Sequence, residues 1–261
     1  MIKVAFITQE DSFVMPQNIE RVLSLTGVET QLIAVVDSSG TVSNRKLTFA
    51  KGFGLAQSFR MEIVLLWAKF LDVLDAAIGY QLPSRKRSVR AVARKNGISF
   101  RRIKNANDDD FVNHIESLQL DLIVSYSCPS VFRTRLLRAA RMGCINLHCS
   151  LLPHYAGLLP SFWVLYHGEK ETGATVHYMD DKIDNGEIRA QCRIPIEAGV
   201  SMFELIHKTK KAGGKLMALT VEKLMTGTAD TIPNLTQRSS YFSWPTIKQM
   251  REFRRRGGRL I

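Results

Sequence analysis

The chain has 261 residues, 45% of them hydrophobic and 23% charged, and a formal net charge of +12. Such a composition is globular, the length suits one large domain or one with a small appendage, and four cysteines without a CxxC pair exclude a disulfide framework. The opening MIKVAFITQEDSF turns acidic too soon for an export signal, so a reducing cytoplasm is expected, and the charge points to an anionic partner without choosing between nucleotide, nucleic acid and membrane surface.

Residues 2–8 (IKVAFIT) predict a strand, PQNIERVLSLTG a helix ending at Gly27, and TQLIAVVDSSG a second strand, which together make a βαβ unit. Residues 41–84 interrupt that rhythm with a basic segment, two glycines and a helix-patterned stretch, SFRMEIVLLWAKFLDVLDAAIGYQLP, ending at Pro83. Glu62, Lys69, Asp72 and Asp75 break its apolar run below membrane-spanning length. It reads as an insertion or lid, with a core or interface helix preferred over contact with a membrane surface.

The rhythm resumes with a helix (SVRAVARKNG), a strand (ISFRRI), a helix from about Asp108 to Leu118 and the buried strand DLIVSYS. RTRLLRAARMG predicts a helix closed by Gly143, CINLHCS a strand running into the loop LLPHYAGLLP, and GATVHYM another strand. Three basic runs, Arg85–Arg94, Lys208–Lys215 and Arg251–Arg259, suit solvated helix faces or a frayed terminus, with phosphate or RNA contact the alternative. From about residue 233 the pattern loosens into a tail with one short basic helix. The expected organisation is a domain over 1–232, interrupted by the 41–84 segment, and a 233–261 C-terminal extension. The expected class is α/β, a Rossmann-like, mostly parallel sheet with helices on both faces.

Alternation along Cys144–Ser150 predicts Asn146 and His148 on one face at the carboxyl end of a strand, where open α/β sheets place their ligands. The Asn185-Gly186 pair marks a tight turn able to hold Asp184 against the same crevice. These groups suit acyl transfer to an amine. Asn146 donates to the oxyanion, protonated His148 donates beside it, and Asp184 keeps His148 charged or accepts a proton through water. Spacing alone equally fits a hydrogen-bonded structural pair. Cys149, His148 and His154 lack the paired spacing of a zinc site, so no metal is expected, and no G-x-S-x-G elbow marks a serine hydrolase.

The stretch NLHCSLLP, followed by HYAG and then TGATVHYMDDKIDNGEI, resembles the folate-dependent formyltransferase family. That family includes the glycinamide ribonucleotide, methionyl-tRNA and sugar N-formyltransferases, and the likeness is good over roughly residues 85–200. It implies an enzyme with N10-formyltetrahydrofolate as co-substrate and Asn146, His148 and Asp184 at the catalytic positions. DLIVSYSCPSVF resembles the family's pterin-pocket strand and loop, which implies that Ser127, Cys128, Pro129, Val131 and Phe132 wall the folate site. Met179, Asp180, Asp181 and Ile183 form the second wall, with His177 beside it or simply a satisfied strand histidine.

The acceptor amine is less legible. The loop GLLPSFW (Gly157–Trp163) and Ser240-Tyr241-Phe242 resemble members that formylate nucleotide-linked amino sugars. Gln9, Glu10, Ser150, Tyr155, Gly157 and Trp163 are then expected around the acceptor, although Trp163 equally suits helix core. The charge would suit tRNA, but about 30 residues beyond position 232 are too few for the β-barrel that methionyl-tRNA formyltransferases carry. TQEDS after the first strand departs from the Gly-rich phosphate loop of the glycinamide ribonucleotide enzymes. A formyl-folate hydrolase would carry a regulatory domain that the first eighty residues do not resemble. A small-molecule acceptor and a homodimer are the expected partners, with nucleic acid disfavoured.

Overall fold

The computed structural model describes residues 1–37, 39–81, 88–238 and 240–261, and of 39–45 and 238 the backbone alone. Its central strands read as continuous apolar runs because both their faces are covered. β1 (Ile2–Thr8) leads through α1 (Met15–Leu23) to β2 (Val28–Val36). α2 (Ser39–Phe53) and α3 (Leu55–Ala77) follow, then α4 (Val89–Lys95), β3 (Ser99–Ile103), α5 (Asp109–Ser117) and β4 (Leu122–Tyr126). A single turn, α6 (Thr134–Leu137), precedes β5 (Cys144–His148). The remainder comprises β6 (Ala156–Gly157), α7 (Pro160–His167), β7 (Glu171–Tyr178), β8 (Ile188–Pro195), α8 (Met202–Met225), β9 (Tyr241–Phe242) and α9 (Ile247–Arg255).

Seven strands form one sheet in the order β3-β2-β1-β4-β5-β7-β8. The first five are parallel and the β5–β7 and β7–β8 pairs antiparallel, so the expected mostly parallel, helix-covered Rossmann-like α/β fold is the one observed. Val4, Phe6, Val124, Ile145 and Leu147 pack on one side with α1, α4 and α8, whereas Ala5, Ile7, Ile123 and Cys144 pack on the other with α5 and α6. Chain order reverses direction between β1 and β4. That switch point opens a crevice beyond the strand ends.

Several local expectations shift. RTRLLRAARMG keeps only one helical turn, because Ala140 bridges to Leu120 and pulls the chain back towards the sheet. Gly143 follows that bridge at φ +81° rather than closing a helix. The helix expected to reach Pro83 ends at Ala77, and Pro83 and Arg85 to Arg87 lie outside the described residues. The run Lys208–Lys215 is part of α8, and it is not a uniformly solvated face. Lys210 turns inward to Asp11 at 2.5 Å, and a Cβ on Gly214 would run into the Asn18 side chain, so the glycine lets α8 close on α1.

The segment beyond 233 is tied down. β9 pairs in parallel with β6, and Met250 and Phe253 of α9 are buried with Phe53, Phe162 and Trp163. Glu10 supports a helix as well: its carboxylate accepts the Val89 amide at 2.8 Å, while Ser88 Oγ accepts that of Ala91 at 3.1 Å. Ser88→Ala is expected to cost about 1 kcal/mol, read as a lower denaturant midpoint at unchanged slope, because losing the N-cap hydroxyl would leave an orphan amide at the α4 terminus.

Candidate active site

Beyond the carboxyl ends of β1, β4 and β5 lies a cleft of about 430 Å³. Thr8 Oγ1 donates to the Tyr126 carbonyl at 2.8 Å, tying the ends of β1 and β4 together below it. Asn146 and His148 alternate with buried Ile145 and Leu147, so both face the cleft. The antiparallel register then sets His177 directly across from Asn146. The β7–β8 connection returns Asp184 to the same place at φ +51°. Asn234 fixes that connection, donating from Nδ2 to the carbonyls of Asp184 and Gly186 at 3.0 Å each.

The four side chains form a connected group. His148 Nε2–H donates to the Tyr155 carbonyl at 2.8 Å, and Nδ1 faces Asp184 Oδ2 at 3.3 Å. His177 Nδ1 meets the Tyr178 carbonyl at 2.7 Å, and Nε2 lies 3.3 Å from Asn146 Nδ2 and 3.6 Å from Asp184 Oδ1. The amide of Asn146 has two hydrogens, so one stays available to the cleft. Asp184 Oδ2 also accepts the Gly157 amide at 2.8 Å. Burial alone would raise its pKa, but His148, His177 and the Gly157 amide outweigh that and hold the carboxyl well below the usual range.

Backbone strain concentrates here. Ser127, Tyr155, Leu159 and Asp184 all adopt left-handed φ between +49° and +59° without being glycine. Each such residue costs on the order of 1 kcal/mol and persists only where its surroundings over-determine it. Gly157, at φ +96°, sits so close to Phe242 that a Cβ would collide with its carbonyl oxygen. The cysteines are chemically quiet: burial pushes the thiols of Cys128 and Cys144 up to about 12 and raises that of Cys149, so none is poised as a thiolate nucleophile.

Of the residues expected at a folate site, Ser127, Cys128, Pro129, Val131, Phe132, His177, Met179, Asp180 and Ile183 line the cleft. Asp180 spends its oxygens within the turn, accepting from the Lys182 amide at 3.0 Å and from Asn185 at 2.5 Å, while Asp181 is exposed outside. Gln9 and Gly157 also line it. Glu10, Ser150, Tyr155 and Trp163 do not. Ser150 Oγ donates to the His154 carbonyl at 2.8 Å, and Tyr155 stacks on Phe242 with its hydroxyl on Glu169 at 2.6 Å. Trp163 is buried, stacked on Phe242 at 4.8 Å, with its indole N–H on the Ser243 carbonyl. Lys210, Ile206 and Trp244 are among the further lining residues that were not expected. The Ala-Gly-Gly following Lys210 and Lys211 was the available signal that this helix packs closely.

Comparison with known proteins adds the decisive observation. The profile described as formyl transferase matches residues 69–221, more than half of the sequence. The chain belongs to the formyl transferase family. Methionyl-tRNA formyltransferase of Halalkalibacterium halodurans is 32% identical over 189 residues, covering 71% of this chain and 59% of that protein. That of Clostridioides difficile is 31% identical over 159 residues, covering 61% and 50%. This formyl transferase chain thus spans between half and three fifths of the length of these curated relatives. Among solved structures, an N-formyltransferase from Helicobacter canadensis in complex with folinic acid and dTDP-3-aminofucose aligns with a TM-score of 0.61 at 18% identity, over 93% of this chain and 71% of that one. Glycinamide ribonucleotide transformylase 1 of Symbiobacterium toebii aligns with a TM-score of 0.60 at 16% identity, over 87% and 89%. At these identities the structural likeness establishes the shared fold.

Proposed function

We propose that the protein transfers the formyl group of N10-formyltetrahydrofolate to a primary amine, with Asn146, His148 and Asp184 acting at the reacting carbon. The observation that carries this reading is the convergence of two imidazoles, an amide and an ionised carboxylate in one cleft at the switch point of the sheet. Attack of an amine on the formyl carbon builds negative charge on the carbonyl oxygen. The free Asn146 hydrogen is the donor for it, and Asp184 balances positive charge on His148, whose two ring nitrogens meet the Tyr155 carbonyl and Asp184, as the attacking nitrogen loses its proton. The new C–N bond forms first, the bond to N10 breaks as the tetrahedral adduct collapses, and the proton lost by the amine leaves on N10.

The volume falls within the range of small-molecule sites. Phe132, Met179, Ile183 and the Ser127–Val131 loop offer an apolar, backbone-rich wall for a flat pterin. His177 positions Asn146 on this reading, and Lys182 supplies positive charge at the cleft beside the Asp11–Lys210 pair. The acceptor is a nucleotide-linked amino sugar. Support comes from the small-molecule size of the cleft and from the Helicobacter canadensis structure, which aligns with nearly the whole chain and holds such a compound. A second reading, methionyl-tRNA as acceptor, is favoured by the sequence relatives and by the charge of +12.

Incubating the protein with N10-formyltetrahydrofolate and, separately, amino-sugar nucleotides, glycinamide ribonucleotide and Met-tRNA tests both readings by following the folate product. Turnover is expected with an amino-sugar nucleotide. Turnover with Met-tRNA alone would replace the acceptor, product without any acceptor would indicate a hydrolase, and no product in any arm would overturn formyl transfer.

A further inference from the structure

We infer that α3 lies in the surface of an anionic membrane and docks the protein there in plane. The helix carries a continuous apolar stripe on its exposed side: Leu55, Phe59, Ile63, Leu66, Trp67, Phe70, Val73 and Leu74. Spacings of three and four residues keep them on one face for the length of the helix. Exposure is high, at 79% for Leu55, 68% for Phe59 and 61% for Trp67. The three aromatic rings alone present roughly 350 Å² to water at about 200 Å² a ring, and folded monomers rarely leave larger contiguous patches bare.

The charges decide what covers this face. The exposed ionisable residues of α3 are the cations Arg60 and Lys69, whereas Asp75 is buried, Asp72 is half-buried and Glu62 is paired with Lys46 at 2.7 Å. More positive charge is stitched alongside. Arg254 of α9 donates to the Phe53 carbonyl and Arg251 to that of Lys51, each at 3.1 Å, while the Leu260 amide donates to Gln57 in the first turn of α3. Lys248, Arg251, Arg254 and Arg255 are exposed, and the one acid of α9, Glu252, is held by Tyr166 and Arg256.

An apolar stripe bearing Trp and Phe beside a cationic patch supplies the two signals that stable interfacial binding requires. The same charges oppose a second copy, because pairing α3 with α3 would bring like-charged surfaces of two +12 chains together. None of the described helices is long and apolar enough to cross a membrane, so α3 lies on the bilayer rather than through it.

The test is sedimentation of the full chain with phosphatidylcholine vesicles, with and without about one third phosphatidylglycerol. Binding to the anionic vesicles is expected. Trp67→Asp with Phe70→Asp should abolish it, and Arg60→Gln with Lys69→Gln should weaken it about 30-fold, at about fivefold per cation. Both pairs are exposed, so melting curves should not move. As a check free of any folding change, Trp emission should be quenched by lipids brominated on the acyl chain in wild type and not in Trp67→Phe. Absence of vesicle binding, binding that survives Trp67→Asp/Phe70→Asp, or a dimer that this pair dissolves while vesicles stay unbound would each overturn the inference.

Discussion

Replacing Asp184 with Asn is expected to lower the rate of formyl transfer by on the order of a hundredfold or more while leaving a cooperative melt and an unchanged far-UV spectrum. Asn is the informative substitution because it tolerates the left-handed backbone found at φ +51° and preserves the side-chain shape. What it removes is the charge facing His148 Nδ1 at 3.3 Å and His177 Nε2 at 3.6 Å. His148→Ala should show a loss of similar size. The two together should cost little more than either alone, since they act as one unit. Because the carboxyl of Asp184 is held well below the usual range, it stays ionised at and above the ordinary carboxylate pKa, and wild-type activity should not fall through protonation of Asp184 until the pH drops below that range. Rates like wild type in both variants would end the assignment.

The second large effect concerns stability. Asp11 and Lys210 pair at 2.5 Å with side chains only 11% and 15% exposed. Burial by itself would raise the Asp11 pKa, but the Lys210 charge and the amides of Phe13 and Val14 bring it to about 2. Asp11→Ala leaves a buried ammonium without its partner and is expected to cost about 3 kcal/mol, at the lower end for breaking a buried pair because some solvent reaches it. Removing the cation as well, in Asp11→Ala/Lys210→Met, should restore more than half of that loss. A depressed folded pKa contributes stability above the unfolded value and loses it as pH falls towards the folded one. The gap between wild type and Asp11→Ala should therefore hold above about pH 4 and shrink towards pH 2. Denaturant midpoints across pH check both statements, and a gap that widens on acidification would contradict the ion-pair account.

Much of this arrangement was legible in the sequence where one local rule sufficed. Strand alternation alone places Asn146 and His148 on one face, and the Asn-Gly pair alone announces the turn that carries Asp184. Residues whose roles depend on distant partners were less accessible. Glu10 belongs to the α4 terminus through Val89, 79 positions away, and Lys210 meets Asp11 across 199. Local polarity therefore suggested a site residue for the first and a solvated lysine for the second. His177 gains its neighbour Asn146 only through the antiparallel register, and Trp163 turned from pocket to core because the segment after 233 packs over it. The helix predicted from Arg133 to Gly143 failed for a similar reason: its apolar period was real, but a sheet bridge at Ala140 ended it.

The pairing of Ala156 and Gly157 with Tyr241 and Phe242 has a consequence in time. Gly157 supplies the amide that Asp184 accepts, and Phe242, the strand partner steadying Gly157, is made some 58 positions after Asp184 itself. At translation speeds of about 5–20 residues per second, a nascent chain holds every proposed reacting group for roughly 3–12 s before the piece that braces them has been synthesised. The loop that carries the proposed reacting groups is therefore braced late, by a strand synthesised after every strand of the main sheet.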